Sequence, residues 1–141
     1  MDPITPDPID PIDPIDPTAP RILVVEDTDA LRASAVRTLA AQGYTVAEAR
    51  HGQDALKMIE DAKKPFDLVV TDVSMPVMSG YKLGRRLAEC RPGLPVVYMS
   101  SVPSAALVRY GLPPGPISYL QKPYLPEDLV REVAAVMPAR A

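Results

Sequence analysis

The sequence has one cysteine, one histidine and no apolar run long enough to cross a membrane. A lone cysteine excludes an intramolecular disulfide framework and fits a reducing cytoplasm. Spanning a bilayer takes roughly 20 consecutive apolar residues, and no stretch approaches that. The N-terminus lacks the basic start and apolar core of a secretory signal peptide. Cations are missing from the first twenty residues, which hold five aspartates, Asp2, Asp7, Asp10, Asp13 and Asp16. The rest of the chain carries 15 basic and 13 acidic residues. That near-neutral body offers no electrostatic footprint for nucleic acid.

What the chain does have is proline, 18 of its 141 residues, seven of them in the first twenty. There Pro-Ile-Asp recurs at positions 8–10, 11–13 and 14–16. Proline removes backbone donors and favours extended conformations, so this segment cannot build a core. Residues 1–20 are therefore expected to be a mobile tail, and residues 21–141 one compact domain.

From Arg21 onward, short apolar runs alternate with helical patterns. The strands expected are Arg21–Val25, Tyr44–Glu48, Leu68–Thr71, Pro95–Met99 and Ile117–Leu120. The first helix should run from Thr28 or Asp29 to about Gln42, with Leu31, Ala35 and Leu39 inward and Gly43 as its stop. A second should span Gly52 to about Ala62, with Ala55, Leu56 and Ile59 inward. The third, Gly80–Cys90, carries Leu83, Leu87 and Cys90 on one stripe, which makes Cys90 a small core residue. A short helix at Ser104–Tyr110 and a last one at Pro126–Met137, with Leu129, Val133 and Val136 inward, complete the set. Such alternation implies an α/β fold, a doubly wound five-stranded parallel sheet covered on both faces.

In open parallel sheets, ligands gather at the carboxyl ends of the strands. Glu26 and Asp27 follow the first strand, Asp72 the third, Ser100 and Ser101 the fourth, and Lys122 the fifth. Three carboxylates drawn together repel one another unless a cation joins them. Oxygen donors without His or Cys select a hard ion, most naturally Mg²⁺. A carboxylate can attack a phosphoryl group to form an acyl phosphate, while a lysine and a hydroxyl steady the transferring oxygens. Asp72, Lys122 and Ser100 match these roles, with Glu26 and Asp27 holding the metal.

This set, with ILVVED at 22–27, DLVVTDVSMPVMSGYKL at 67–83 and YLQKPY at 119–124, resembles the receiver domains of two-component response regulators. The resemblance covers about residues 21–137. It implies a flavodoxin-like strand order 2-1-3-4-5 and phosphorylation of Asp72 by a histidine kinase or a histidine phosphotransfer protein. It further implies Mg²⁺ held by Asp27, Asp72 and the backbone carbonyl of Ser74, with Glu26 acting through water. Lys122 would pair with the phosphoryl group, and its bond to Pro123 is often cis in the family. Ser100 would be the switch hydroxyl, Tyr119 the switch aromatic and Ser101 a neighbour of the phosphoryl oxygens. Pro76 and Gly80 would shape the loop after Asp72.

Between Ser101 and Ile117, four prolines and two glycines interrupt the chain, so the fourth helix is expected to be short or irregular. No effector sequence follows the last helix, so output is expected through protein contact or phosphorelay, in the cytoplasm, with no nucleic acid bound directly and no membrane insertion. The protein is expected to promote its own Mg²⁺-dependent phosphorylation and dephosphorylation rather than turn over a substrate. Two other readings stand beside this one. A phosphohydrolase with an aspartyl nucleophile commonly places a second acid two residues on, where Ser74 stands. A receiver-like module that is never phosphorylated has no need of the full acidic set. His51 reads as a solvated loop residue, Arg85, Arg86 and Arg91 as a solvated helix face, and Met75 and Met78 as packing residues.

Overall fold

A computed structural model describes residues 18–103 and 116–138. The strands are β1 (Arg21–Val25), β2 (Thr45–Ala49), β3 (Leu68–Asp72), β4 (Val96–Ser100) and β5 (Ile117–Gln121). Among the described residues the helices are α1 (Asp29–Ala40), α2 (Gly52–Asp61), α3 (Gly80–Cys90) and α4 (Pro126–Val136). The sheet is parallel, in the order β2-β1-β3-β4-β5. Both the α/β class and the order match the expectation from sequence. The proline-rich tail up to residue 17, the helix expected at Ser104–Tyr110 and the last three residues lie outside the described residues. Pro20, assigned to the tail, already belongs to the domain: its carbonyl accepts the Thr45 amide at 2.9 Å.

Side chains alternate across a strand, so each strand feeds two cores. Leu23, Val25, Val69, Val96 and Tyr98 pack on one face with Ala55, Leu56 and Ile59 of α2 and Leu83 and Leu87 of α3. Ile22, Val24, Leu68, Val70, Val97 and Met99 pack on the other with Ala35 and Leu39 of α1 and Leu129 and Val133 of α4. Strands β3 and β4 are buried along their whole length, as strands covered on both faces must be. The Ser118 hydroxyl donates to Glu132 and ties β5 to α4.

Local chemistry sets the helix ends. Ser79 caps α3, its Oγ accepting the Lys82 amide at 3.2 Å. The end of α1 tightens, with Gln42 N–H donating to the Leu39 carbonyl and Gly43 N–H to the Ala40 carbonyl. Gly43 then turns the chain at φ 93°, a conformation glycine adopts without a Cβ clash.

Two expected core positions differ. Leu31 is 46% exposed, and the inward stripe of α1 is Arg32, Ala35 and Leu39, with Arg32 only 9% exposed. The reason is a set of acceptors that satisfies the Arg32 guanidinium and so permits its burial. Cys90 is exposed. Its angle on the helix is right, but it is the last residue of α3, and the buried stripe Gly80, Leu83, Gly84 and Leu87 is spent before it.

Candidate functional site

The order of the sheet reverses beside β1, which lies between β2 and β3. Open α/β sheets form their crevice at such a switch, outside the carboxyl ends. Glu26 and Asp27 follow β1 there, and Asp72 is the final residue of β3. Each of the three offers a carboxylate oxygen within 4.8 Å of the others. Glu26 is 1% exposed and Asp72 7%.

Glu26 is held at every polar atom. Its amide donates to the Ala49 carbonyl at 3.1 Å. Its own carbonyl accepts Arg32 Nη1 at 2.8 Å. Oε2 accepts the Thr28 amide at 3.1 Å, and Oε1 accepts Lys122 Nζ at 2.9 Å. The same ammonium lies 3.3 Å from Asp72 Oδ2. Burial pushes the Glu26 carboxyl above its ordinary range, and the nearby Asp72 charge adds to that. The bonds from Lys122 and Thr28 oppose it without cancelling it. For Lys122, burial works against the charge, but the bond to Glu26 and the charge of Asp72 outweigh it and hold the ammonium above its ordinary pKa.

At separations of up to 4.8 Å, two unit charges repel by about 3–4 kcal/mol if the effective dielectric is about 20. One lysine against three carboxylates leaves two negative charges uncompensated. That residue of charge, on oxygen donors alone, suits a hard divalent cation.

The remaining expected residues fall around this centre. Ser100 ends β4 beside the Asp72–Met99 pairing, is buried, and accepts the Val102 amide on Oγ at 3.0 Å. Its carbonyl accepts the Lys122 amide at 2.8 Å, which sets the lysine at the site's edge. The Lys122–Pro123 bond is cis. Ser101 is exposed and lines a groove with Leu31, Ser34, Lys122, Pro123 and Tyr124. Ser74 is exposed on the loop after β3. The Gly80 amide donates to the Val73 carbonyl at 2.9 Å, and a Cβ at Gly80 would collide with the Asp72 carbonyl oxygen. Only glycine permits that approach.

Tyr119 of β5 is half-buried and forms one end of a column of rings. Its ring lies 5.8 Å from that of Tyr98, which lies 5.6 Å from that of Tyr81 on α3. Burial pushes the Tyr119 phenol up, and the neighbouring Tyr81 adds to it. His51 is exposed, Met78 is buried, and Met75 packs against the core beside it. Sequence reasoning missed Arg32. The signal was a cation three and seven residues before Ala35 and Leu39, the two residues that do face inward.

The fold, with an acidic cluster and a lysine at the switch point, defines the receiver class. The chain belongs to the response regulator receiver domain family, whose model matches residues 22–134. It is 35% identical over 116 residues to the sensor kinase CckA of Brucella abortus, covering 82% of this chain but only 12% of that protein. It is 33% identical over 117 residues to the response regulator receiver protein CpdR of the same organism, covering 83% of this chain and 96% of that one. The solved chemotaxis protein CheY4 of Vibrio cholerae superposes with a TM-score of 0.78 at 28% identity, over 85% of this chain and all of that one. The protein is thus a receiver domain of two-component signal transduction, a family that takes phosphoryl groups from kinases or phosphotransfer proteins. Among the described residues, no helix is long and apolar enough to cross a membrane.

Proposed function

We propose that Asp72 is the phosphoacceptor and that the donor is the phosphohistidine of a histidine kinase or a histidine phosphotransfer protein. One observation carries this reading: the nearly buried Asp72 carboxylate shares Lys122 with Glu26 and a 4.8 Å cluster with Glu26 and Asp27. A carboxylate oxygen of Asp72 bonds to phosphorus as the phosphorus–nitrogen bond of the donor breaks, and the imidazole leaves with the electron pair. Lys122 would pair with the transferred oxygens, and the Ser100 hydroxyl would hydrogen-bond one of them. Ser101 borders the same space.

Glu26, Asp27, Asp72 and the backbone carbonyl of Ser74 would hold Mg²⁺, Glu26 through water because both its oxygens already have donors. The ion would supply the positive charge that three carboxylates and a dianionic phosphoryl group require together. Ser100 and Tyr119 would read out the modification, and the output would be contact with another protein. The domain would promote its own phosphorylation and dephosphorylation without turning over a separate substrate. This reading carries a cytoplasmic location, where kinases draw on ATP.

Wild type and Asp72→Ala, treated with acetyl phosphate and Mg²⁺ and compared by intact mass, test it. Wild type is expected to gain one phosphoryl group and the variant none. Equal labelling would remove Asp72 from this role.

A further inference from the structure

Arg32 is a buried cation with no part in the chemistry just described. It stands on the first turns of α1 and reaches three groups on three segments. Nη1 donates to the Glu26 carbonyl at 2.8 Å, Nη2 to Asp29 Oδ1 at 2.7 Å and Nε to Glu48 Oε1 of β2 at 3.0 Å. Asp29 in turn accepts Arg50 Nη2 at 3.0 Å. A guanidinium is planar and always charged, so acceptors at three of its nitrogens fix its orientation.

We infer that Arg32 is a positioning residue for the acidic site, gripping the Glu26 carbonyl and thereby fixing the peptide that carries Asp27. The peptide group is planar, so holding its oxygen holds the Asp27 nitrogen and α-carbon as well. Glu26 is already fixed through its amide and both side-chain oxygens. Asp27 is only partly buried, and the Arg32 bond restrains the backbone it hangs from. The charged pairs to Asp29 and Glu48 aim the guanidinium, and the carbonyl is what it is aimed at. Loss of the side chain would strand a buried carbonyl and free the loop between β1 and α1. The geometry is independent of the phosphoacceptor reading, but its consequence for Mg²⁺ rests on that reading.

Two readouts on full-length protein test the inference. In metal-free protein, hydrogen exchange of the Thr28 amide, which donates to Glu26 Oε2 in the same loop, is expected to speed up in Arg32→Ala relative to amides in β3. By calorimetry, Mg²⁺ affinity is expected to fall about tenfold, the usual scale for removing a residue that orients a metal ligand. Arg32→Lys keeps the charge but has one nitrogen for three acceptors, and should fall between wild type and Arg32→Ala. Val133→Ala loses stability within the core that α1 shares with α4 and is expected to keep wild-type Mg²⁺ affinity. If Arg32→Ala binds Mg²⁺ as Val133→Ala does, with unchanged Thr28 exchange, the positioning role is overturned. Should Arg32→Ala fail to fold, Glu48→Ala removes one acceptor at the surface and is expected to weaken Mg²⁺ binding in the same direction. Wild-type affinity in that variant would overturn the role equally. If wild type itself binds no Mg²⁺, the phosphoacceptor reading fails, and the exchange measurement still decides the role of Arg32.

Discussion

At the scale of single residues, the loop after Asp72 holds the clearest conflict between side chain and backbone. Val77 has φ of 69° and is 83% exposed. A β-branched residue in that region is strained, at a cost of about 1–3 kcal/mol, and Val77 recovers little of it by burial. Asparagine tolerates positive φ without the unfolded-state entropy of glycine. Val77→Asn is therefore expected to raise stability by about 1 kcal/mol in urea denaturation. A lower midpoint would show that the valine makes compensating contacts. The strain sits five residues beyond the proposed phosphoacceptor, on a loop that also carries buried Met78 and the Gly80 approach to the Asp72 carbonyl.

At the scale of elements, two helix starts make separate claims. The first turn of α3 approaches β3 so closely that a methyl at Gly80 has no room. Gly80→Ala is expected to cost about 1–3 kcal/mol and to displace the loop next to Asp72, visible as slower phosphorylation by acetyl phosphate. Helix α4 begins with Pro126, and Asp128 Oδ2 accepts the Leu125 amide at 3.0 Å. That bond, helped by Arg131, holds the Asp128 carboxyl below its ordinary value of 3.8. A depressed carboxylate stabilises the fold above its unfolded pKa and loses that contribution as pH falls through the folded one. Asp128→Ala should therefore melt below wild type at pH 7, and the difference should shrink as pH falls from 3.8 through the lower folded value. A gap unchanged in acid would assign the loss to packing.

The elements were largely legible in the sequence. RILVV and LVVT read as buried strands because period-free apolar runs mark a sheet covered on both faces. Glu26, Asp27, Asp72 and Lys122 could be gathered because parallel topology brings the strand ends to one edge. Leu31 and Arg32 lie one residue apart on α1, and hydrophobicity alone chose the leucine. Two of the three acceptors that make the arginine an interior residue come from β2 and from the turn after β1, which no local window on the helix shows.

At the scale of the whole molecule, the exposed large apolar side chains among the described residues are Leu31, Val77, Val102 and Leu125. They sit in the segments that follow β1, β3, β4 and β5, all on the edge that carries Asp72. Apolar groups around a site invite a protein surface. Leu31→Asp is expected to slow phosphotransfer from a phosphohistidine protein at least several-fold. The rate with acetyl phosphate should stay at the wild-type value, since a small donor needs no docking surface. Equal slowing with both donors would place Leu31 in the chemistry and not in recognition. The column of Tyr81, Tyr98 and Tyr119 adds an optical consequence. The chain has no tryptophan. Rings 5.6 and 5.8 Å apart share ultraviolet excitation, and nothing in the protein emits at longer wavelength to drain it. Movement of Tyr119 away from Tyr98 would weaken that sharing, so the fluorescence anisotropy of the unlabelled protein would report its position.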